Sequence, residues 1–347
     1  MFAQTIRAMV DRWDEAAAAE DDGNKTPGPF AVDASAAFAD LSPTADLATL
    51  ANAVRDAVAR PDAFYGPPRA NGDRASYAGG WLSFPSAIRT EDAANNTAFA
   101  RVLESRRRRD AVLLAPHWNA SADALLPLAA LLNRLGYTTA VVVLPYHHQR
   151  KIPSSTVADH FLSANLGRTI RSVRQAVVDL RGAIDWLENR GHRRFYVVGA
   201  SLGSCIAGLA GAFDPRIRAS LLLLTAGSFA DVVWTGRATR HIRAALEPAV
   251  SRDALRAIWS IISLDTFAER FRNPNHHLLM VSAARDRVVL PAYTDAFLDR
   301  LRGAEVAVQQ VSLPCGHYSM GMLPFSLCAA ARIVSFLRNV SRLGETG

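Results

Sequence analysis

At 347 residues, half of them hydrophobic, the chain has ample material for a large buried core, and its length fits one catalytic domain with decorations. The formal charge of +7 does not point to a nucleic-acid partner. All basic residues except Lys25 and Lys151 are arginines, which with the abundant alanine reads as the coding bias of a GC-rich genome, and the run Arg106 to Arg109 reads as a solvated connection between strands.

In chain order, Phe2 to Glu20 and Asp46 to Arg60 have helical character, separated by the turn-rich Asp21 to Pro29. Gly66-Pro67-Pro68 and Asn71-Gly72 are turn signals in an irregular stretch from Pro61 to Gly80. Residues 1–80 are therefore expected to form an N-terminal helical extension, and residues 81–340 the main domain. From Trp81 onward, apolar runs at Ala111 to Ala115, Thr139 to Leu144, Phe195 to Val198, Leu221 to Leu224, Leu278 to Val281 and Val306 to Val311 alternate with helical patterns. The helical patterns are Leu125 to Leu135, Ile170 to Glu188, Cys205 to Phe213, Ala292 to Leu301 and Cys328 to Leu337. This alternation predicts an α/β architecture, a mostly parallel central sheet flanked by helices. One interval breaks it: Gly227 to Pro274 is too long for a single crossover helix. It carries helical patterns near Arg237 to Leu246 and Asp253 to Ile262, and is expected to be a lid insertion (227–274).

The strand Phe195 to Val198 meets Gly199-Ala200-Ser201-Leu202-Gly203 and then an apolar helix. In this strand–turn–helix context Gly-x-Ser-x-Gly reads as a nucleophile elbow, because a strained turn brings the residues at −2 and +2 into contact and leaves no room for side chains. Ser201 is the expected nucleophile. A serine hydroxyl needs a base, itself held by an acid, and sites of this kind take them in the order Ser, acid, His from loops after later strands. Asp286 follows Leu278 to Val281 and is the expected acid, with Asp231 as competitor; His317 follows Val306 to Val311 and is the expected base. A loop carboxylate paired with Arg285 or Arg287 is the plain alternative for Asp286. The oxyanion hole is expected from Leu202 N–H and from the loop Pro116-His117-Trp118-Asn119-Ala120, with Asn119 as donor and Trp118 as substitute. His117 precedes the serine and is expected to brace this loop.

With these residues in place, the stretch from Trp81 to Leu337 resembles the α/β-hydrolase superfamily. The combination Pro116-His117-Trp118-Asn119-Ala120, Leu144-Pro145-Tyr146-His147, Gly167-Arg168-Thr169-Ile170, Asp231-Val232-Val233-Trp234-Thr235-Gly236 and Pro314-Cys315-Gly316-His317-Tyr318 is similar to a group of bacterial abhydrolases. Some of that group carry the label of quorum-lactone hydrolase. The resemblance implies the α/β-hydrolase fold and a small-molecule ester or lactone substrate, with no cofactor. Tyr146 or Arg150, after the strand Thr139 to Leu144, would then meet a substrate carbonyl or carboxylate, or belong to a solvated loop. Trp234 would line the acyl pocket or pack the lid onto the core.

Two rivals are weaker. A metal-dependent lactonase lacks its His-x-His-x-Asp-His or His-Glu-x-x-His pattern, so no metal is expected, and a non-catalytic binding protein usually loses a triad member. Three cysteines with no Cys-x-x-Cys spacing are expected as free thiols. Charges early in Met1 to Glu20 leave no apolar signal region, and no apolar run reaches the ~18 residues of a membrane span, so a cytoplasmic protein is expected. Oligomeric state is left open.

Overall fold

The computed structural model describes residues 2–23, 25, 28–66, 74–107, 110–121, 123–153, 155 and 157–343. Most of the turn signals Gly66-Pro67-Pro68 and Asn71-Gly72, and Arg108 and Arg109 of the basic run, lie outside the described residues. Among the described residues, no helix is long and apolar enough to cross a membrane.

Among the described residues, nine strands form one sheet in the order β1-β2-β3-β5-β4-β6-β7-β8-β9. They are β1 (Ser76–Ala78), β2 (Trp81–Pro85), β3 (Thr97–Leu103), β4 (Asp110–Ala115), β5 (Thr138–Val143), β6 (Arg194–Ala200), β7 (Ile217–Leu223), β8 (His277–Ala283) and β9 (Val308–Leu313). β1 to β3 pair antiparallel, and β3 pairs antiparallel with β5. Every other pairing, from β5 through β4 to β9, is parallel. All six residues of β4 and of β5 are buried, as their unbroken apolar runs require. The strand period divides β4 between two cores: Ala111, Leu113 and Ala115 pack on one face, Val112 and Leu114 on the other. The sheet begins at Ser76, five residues before the expected boundary, because Ser76–Ala78 adds an edge strand to β2.

The helices are α1 (Phe2–Asp22), α2 (Ala34–Ala37), α3 (Leu47–Ala59), α4 (Pro61–Phe64), α5 (Leu126–Arg134), α6 (Leu166–Asn189), α7 (Leu202–Phe213), α8 (Phe229–Thr235), α9 (Arg240–Leu246), α10 (Arg252–Ile258), α11 (Pro291–Gly303) and α12 (Phe325–Leu343). α3 starts where its sequence supplies a cap, since the Asp46 carboxylate accepts from Thr49 N–H at 2.8 Å. It turns Leu50 and Val54, one helical turn apart, into the core. α7 is apolar on all sides and buries ten of its twelve residues directly behind the elbow. The interval 227–274 holds α8, α9 and α10 with short 3₁₀ turns between β7 and β8, one helix more than its sequence pattern suggests. Cys205, Cys315 and Cys328 are free thiols, the first two buried.

From β4 the chain steps outward to β5, then crosses back to place β6 on the other side of β4. The carboxyl ends of β4 and β6 thus flank a topological switch point, where loops diverge and leave a crevice.

Candidate active site

Ser201 sits at the carboxyl end of β6 with φ 53° and ψ −119°, a strained conformation for a residue bearing a side chain. Its N–H donates to Leu223 O of the neighbouring strand at 2.9 Å, and its carbonyl accepts from Ser204 N–H at 2.8 Å. The flanking glycines are required by close approach. A Cβ on Gly199 would overlap the Gly203 carbonyl, and a Cβ on Gly203 would overlap the Ala115 carbonyl at the end of β4. The elbow is therefore wedged against the loop that follows β4.

The structure brings Ser201, His317 and Asp286 together. Ser201 Oγ lies 3.1 Å from His317 Nε2, and His317 Nδ1 lies 2.8 Å from Asp286 Oδ2. The carboxylate partner assigns the proton to Nδ1, leaving Nε2 as acceptor for the serine hydroxyl. The other carboxylate oxygen of Asp286 accepts from Val288 N–H at 2.8 Å and Val289 N–H at 2.7 Å, so this buried group is fully hydrogen-bonded. The acid and base loops are stitched to each other, Arg285 N–H donating to Cys315 O at 2.9 Å. Neither Arg285 nor Arg287 occupies Asp286: Arg285 pairs with Asp11 and Arg287 reaches Glu15, both on α1.

Asp231, the competing acid, lies elsewhere. On α8, its carboxylate accepts from Arg252 Nε at 2.7 Å and Arg256 Nε at 2.8 Å. Burial pushes its pKa up, but the hydrogen bonds from Arg256 and Arg252 outweigh this and hold it below the ordinary carboxylate value.

Leu202 N–H opens α7 in the first turn of the helix, where no intrahelical acceptor exists. Asn119 differs from expectation. Its N–H donates to His147 Nε2 at 3.1 Å, and its side-chain oxygen accepts from Ala158 N–H at 2.8 Å. His147 receives that bond because its Nδ1–H donates to Pro145 O at 2.8 Å, which fixes Nε2 as the acceptor. Trp118, beside it, donates through its indole Nε1 to Ala158 O at 3.0 Å and stacks on His241 with ring centroids 6.0 Å apart. Lys25 Nζ sits over the Trp118 ring, 5.4 Å from its centroid, and donates to Ala238 O at 2.8 Å. His117 is exposed and lies near His317. Enclosure by protein and the nearby His317 push its imidazole down to about 4, even though part of its surface is open to solvent.

Tyr146 and Arg150 do not meet the cleft as expected, nor do they lie in a solvated loop. Tyr146 is 1% exposed, with its hydroxyl 3.5 Å from an Arg171 nitrogen. Arg150 is fully buried and donates to Val143 O and Asn95 O while pairing with Asp179 at 2.8 Å. A buried guanidinium needs such partners for its terminal nitrogens, and this loop turns inward to meet them. Trp234 is half-buried and packs on the core, with the Arg243 guanidinium 5.5 Å from its ring centroid. A cavity of about 390 Å³ between α8, α10 and α11, lined by Ser228, Asp231, Arg256 and Tyr293 among others, includes none of Ser201, Asp286 and His317. Among the described residues, no group of three or more His, Cys, Asp or Glu side chains is arranged to hold a metal ion.

The role of His147 has a measurable consequence. Burial pushes its pKa down to about 3, so the folded protein holds it neutral, whereas the unfolded chain protonates it near its ordinary value of about 6.5. The stability this contributes is present above about pH 6.5 and is lost as pH falls, at up to about 1.4 kcal/mol per pH unit for this one group. Urea denaturation at about pH 7 and pH 5 should show a smaller loss of stability for His147→Gln than for the wild type. Identical losses would contradict it.

No protein-family model matches the sequence, and no curated protein is found similar to it. Solved structures are similar in fold. The Pyrococcus furiosus esterase Pf2001 shares 15% identity at a TM-score of 0.50, over 70% of this chain and 87% of that one. Est1E from Butyrivibrio proteoclasticus shares 14% identity at a TM-score of 0.51, over 71% of this chain and 95% of that one. TT1662 from Thermus thermophilus shares 19% identity at 0.51, over 73% and 97%. Together with the elbow at the switch point of a mostly parallel sheet, these likenesses establish that the chain has the α/β-hydrolase fold.

Proposed function

We propose that the protein is a serine hydrolase that cleaves a carboxylic ester or lactone through an acyl-enzyme on Ser201, with His317 as base and Asp286 as supporting acid. The observation that carries this reading is the continuous contact from Ser201 Oγ through His317 to the buried Asp286. His317 Nε2 takes the hydroxyl proton as Ser201 Oγ attacks the carbonyl carbon, and Asp286 stabilises the imidazolium that forms. His317 then returns the proton to the leaving alcohol. Water enters, gives its proton to His317 and attacks the acyl carbon, releasing the acid and regenerating the serine.

The developing oxyanion needs two N–H donors. Leu202 supplies one. Trp118 N–H, on the loop that touches Gly203, is the better second donor, because Asn119 N–H is already committed to His147. In this reading the interval 227–274 acts as a lid, supported by the stacking of His241 of α9 on Trp118. The resemblance of the motifs to bacterial abhydrolases, some labelled quorum-lactone hydrolase, and the esterase named among solved structures of similar fold support an ester or lactone substrate.

Pre-steady-state hydrolysis of p-nitrophenyl esters of increasing chain length, beside acyl-homoserine lactones, tests this reading. At least one ester should give a burst of p-nitrophenol of about one equivalent per chain, the signature of acylation outrunning deacylation, or steady turnover if deacylation is fast. Inertness toward the whole series would count against ester and lactone hydrolysis.

A further inference from the structure

Helix α1 carries six acids, and five of them, Asp11, Asp14, Glu15, Asp21 and Asp22, are spaced along one face, with Glu20 off it. That face lies over the loops bearing Asp286 and His317. Asp11 pairs with Arg285, the residue before Asp286, and the Tyr318 hydroxyl donates to Asp21 at 2.8 Å. Asp14 reaches deepest. One of its oxygens accepts from Tyr318 N–H at 2.8 Å and more weakly from Ser319 N–H at 3.4 Å; the other accepts from the Ser319 hydroxyl. The same hydroxyl accepts from Gly316 N–H at 2.9 Å. Both neighbours of His317 are thus tied to one carboxylate, and a Cβ on Gly316 would overlap it, so glycine makes room for Asp14 at this point.

We infer that Asp14 is a positioning residue for the reaction, a carboxylate from the N-terminal helix that fixes the backbone on both sides of His317 and so aims its imidazole between Ser201 and Asp286. The inference rests on the serine-hydrolase reading. Asp14 touches neither substrate nor any reacting atom. Its effect is geometric, and a catalytic base displaced by about 1 Å loses on the order of 100-fold in rate.

The test uses the full chain and a double-mutant cycle with a p-nitrophenyl ester. Asp14→Ala should lower kcat about 10- to 100-fold with KM changed less than about twofold. Asp14→Asn, which keeps an acceptor for Tyr318 N–H, should lose less. Glu15→Ala, which removes only exposed ion pairs on the same helix, should leave kcat within about twofold. On an Asp286→Ala background, where His317 is already unsupported, adding Asp14→Ala should cost less than about threefold, because the two residues act through one imidazole. A kcat within about twofold of wild type for Asp14→Ala would overturn the inference, as would a loss of equal factor on both backgrounds, which marks a general effect on the fold. If Asp14→Ala does not fold, Asp14→Asn is put through the same cycle, and a kcat equal to wild type, or an equal factor lost on both backgrounds, overturns the inference. A wild-type protein that fails to label at Ser201 with a fluorophosphonate overturns the hydrolase reading as well; labelling of the wild type with an undiminished rate in Asp14→Ala overturns the positioning role alone.

Discussion

Replacing Ser201 by alanine is expected to lower kcat for ester hydrolysis by about 10⁴-fold or more while leaving the protein folded. The side-chain oxygen that is lost makes one hydrogen bond, to His317 Nε2. The strained backbone at this position is held by the Leu223 carbonyl and by the glycine contacts on either side, none of which involves the hydroxyl. Alanine keeps the Cβ that this backbone already tolerates, so the unfolding free energy from the urea midpoint should change by less than about 1 kcal/mol. Measuring kcat and the midpoint on the same preparation checks both parts. A variant that retains more than a tenth of wild-type turnover would mean that another group is the nucleophile.

The second large effect belongs to Asp286. In Asp286→Asn an amide oxygen still accepts from Val288 and Val289 N–H, so the loop keeps its shape. The amide nitrogen then faces His317 Nδ1 as a donor. The imidazole must answer with the other tautomer, protonated on Nε2, and can no longer take the serine proton; a loss of about 10⁴-fold in kcat follows. Asp231→Asn is expected to act differently: activity within about fivefold of wild type, and a less stable protein because Arg252 and Arg256 lose a shared charged partner. Steady-state kinetics of the two variants separate the alternatives. Full turnover by Asp286→Asn together with inactivity of Asp231→Asn would reverse the assignment of the acid.

The parts of the site that were legible in the sequence are those dictated by backbone. The elbow is readable because its close approaches exclude side chains at Gly199 and Gly203, and the strands are readable because burial on both faces demands unbroken apolar runs such as Ala111 to Ala115. The loops carrying Asp286 and His317 follow from those strands. What the sequence conceals are contacts between side chains distant in the chain. Nothing in Leu144-Pro145-Tyr146-His147 announces that Arg150 turns inward to Asp179, or that His147 takes the Asn119 N–H expected to face an oxyanion. The antiparallel edge β1 to β3 is equally hidden, since β1 buries no residue and β2 and β3 bury only alternate ones, so none gives a continuous buried run. α1 was readable as a helix, but not its destination. Its acids find their arginines and the His317 loop across nearly the whole length of the chain, and no local pattern records such a pairing.

The central claim is that Ser201 is a nucleophile made reactive by His317, and covalent labelling addresses it without knowledge of the substrate. Intact-protein mass after incubation with a fluorophosphonate should show one adduct per chain in the wild type, mapped by peptide sequencing to Ser201, and no adduct in Ser201→Ala. Equal labelling of the two proteins, or an adduct mapped to any other residue, would contradict it.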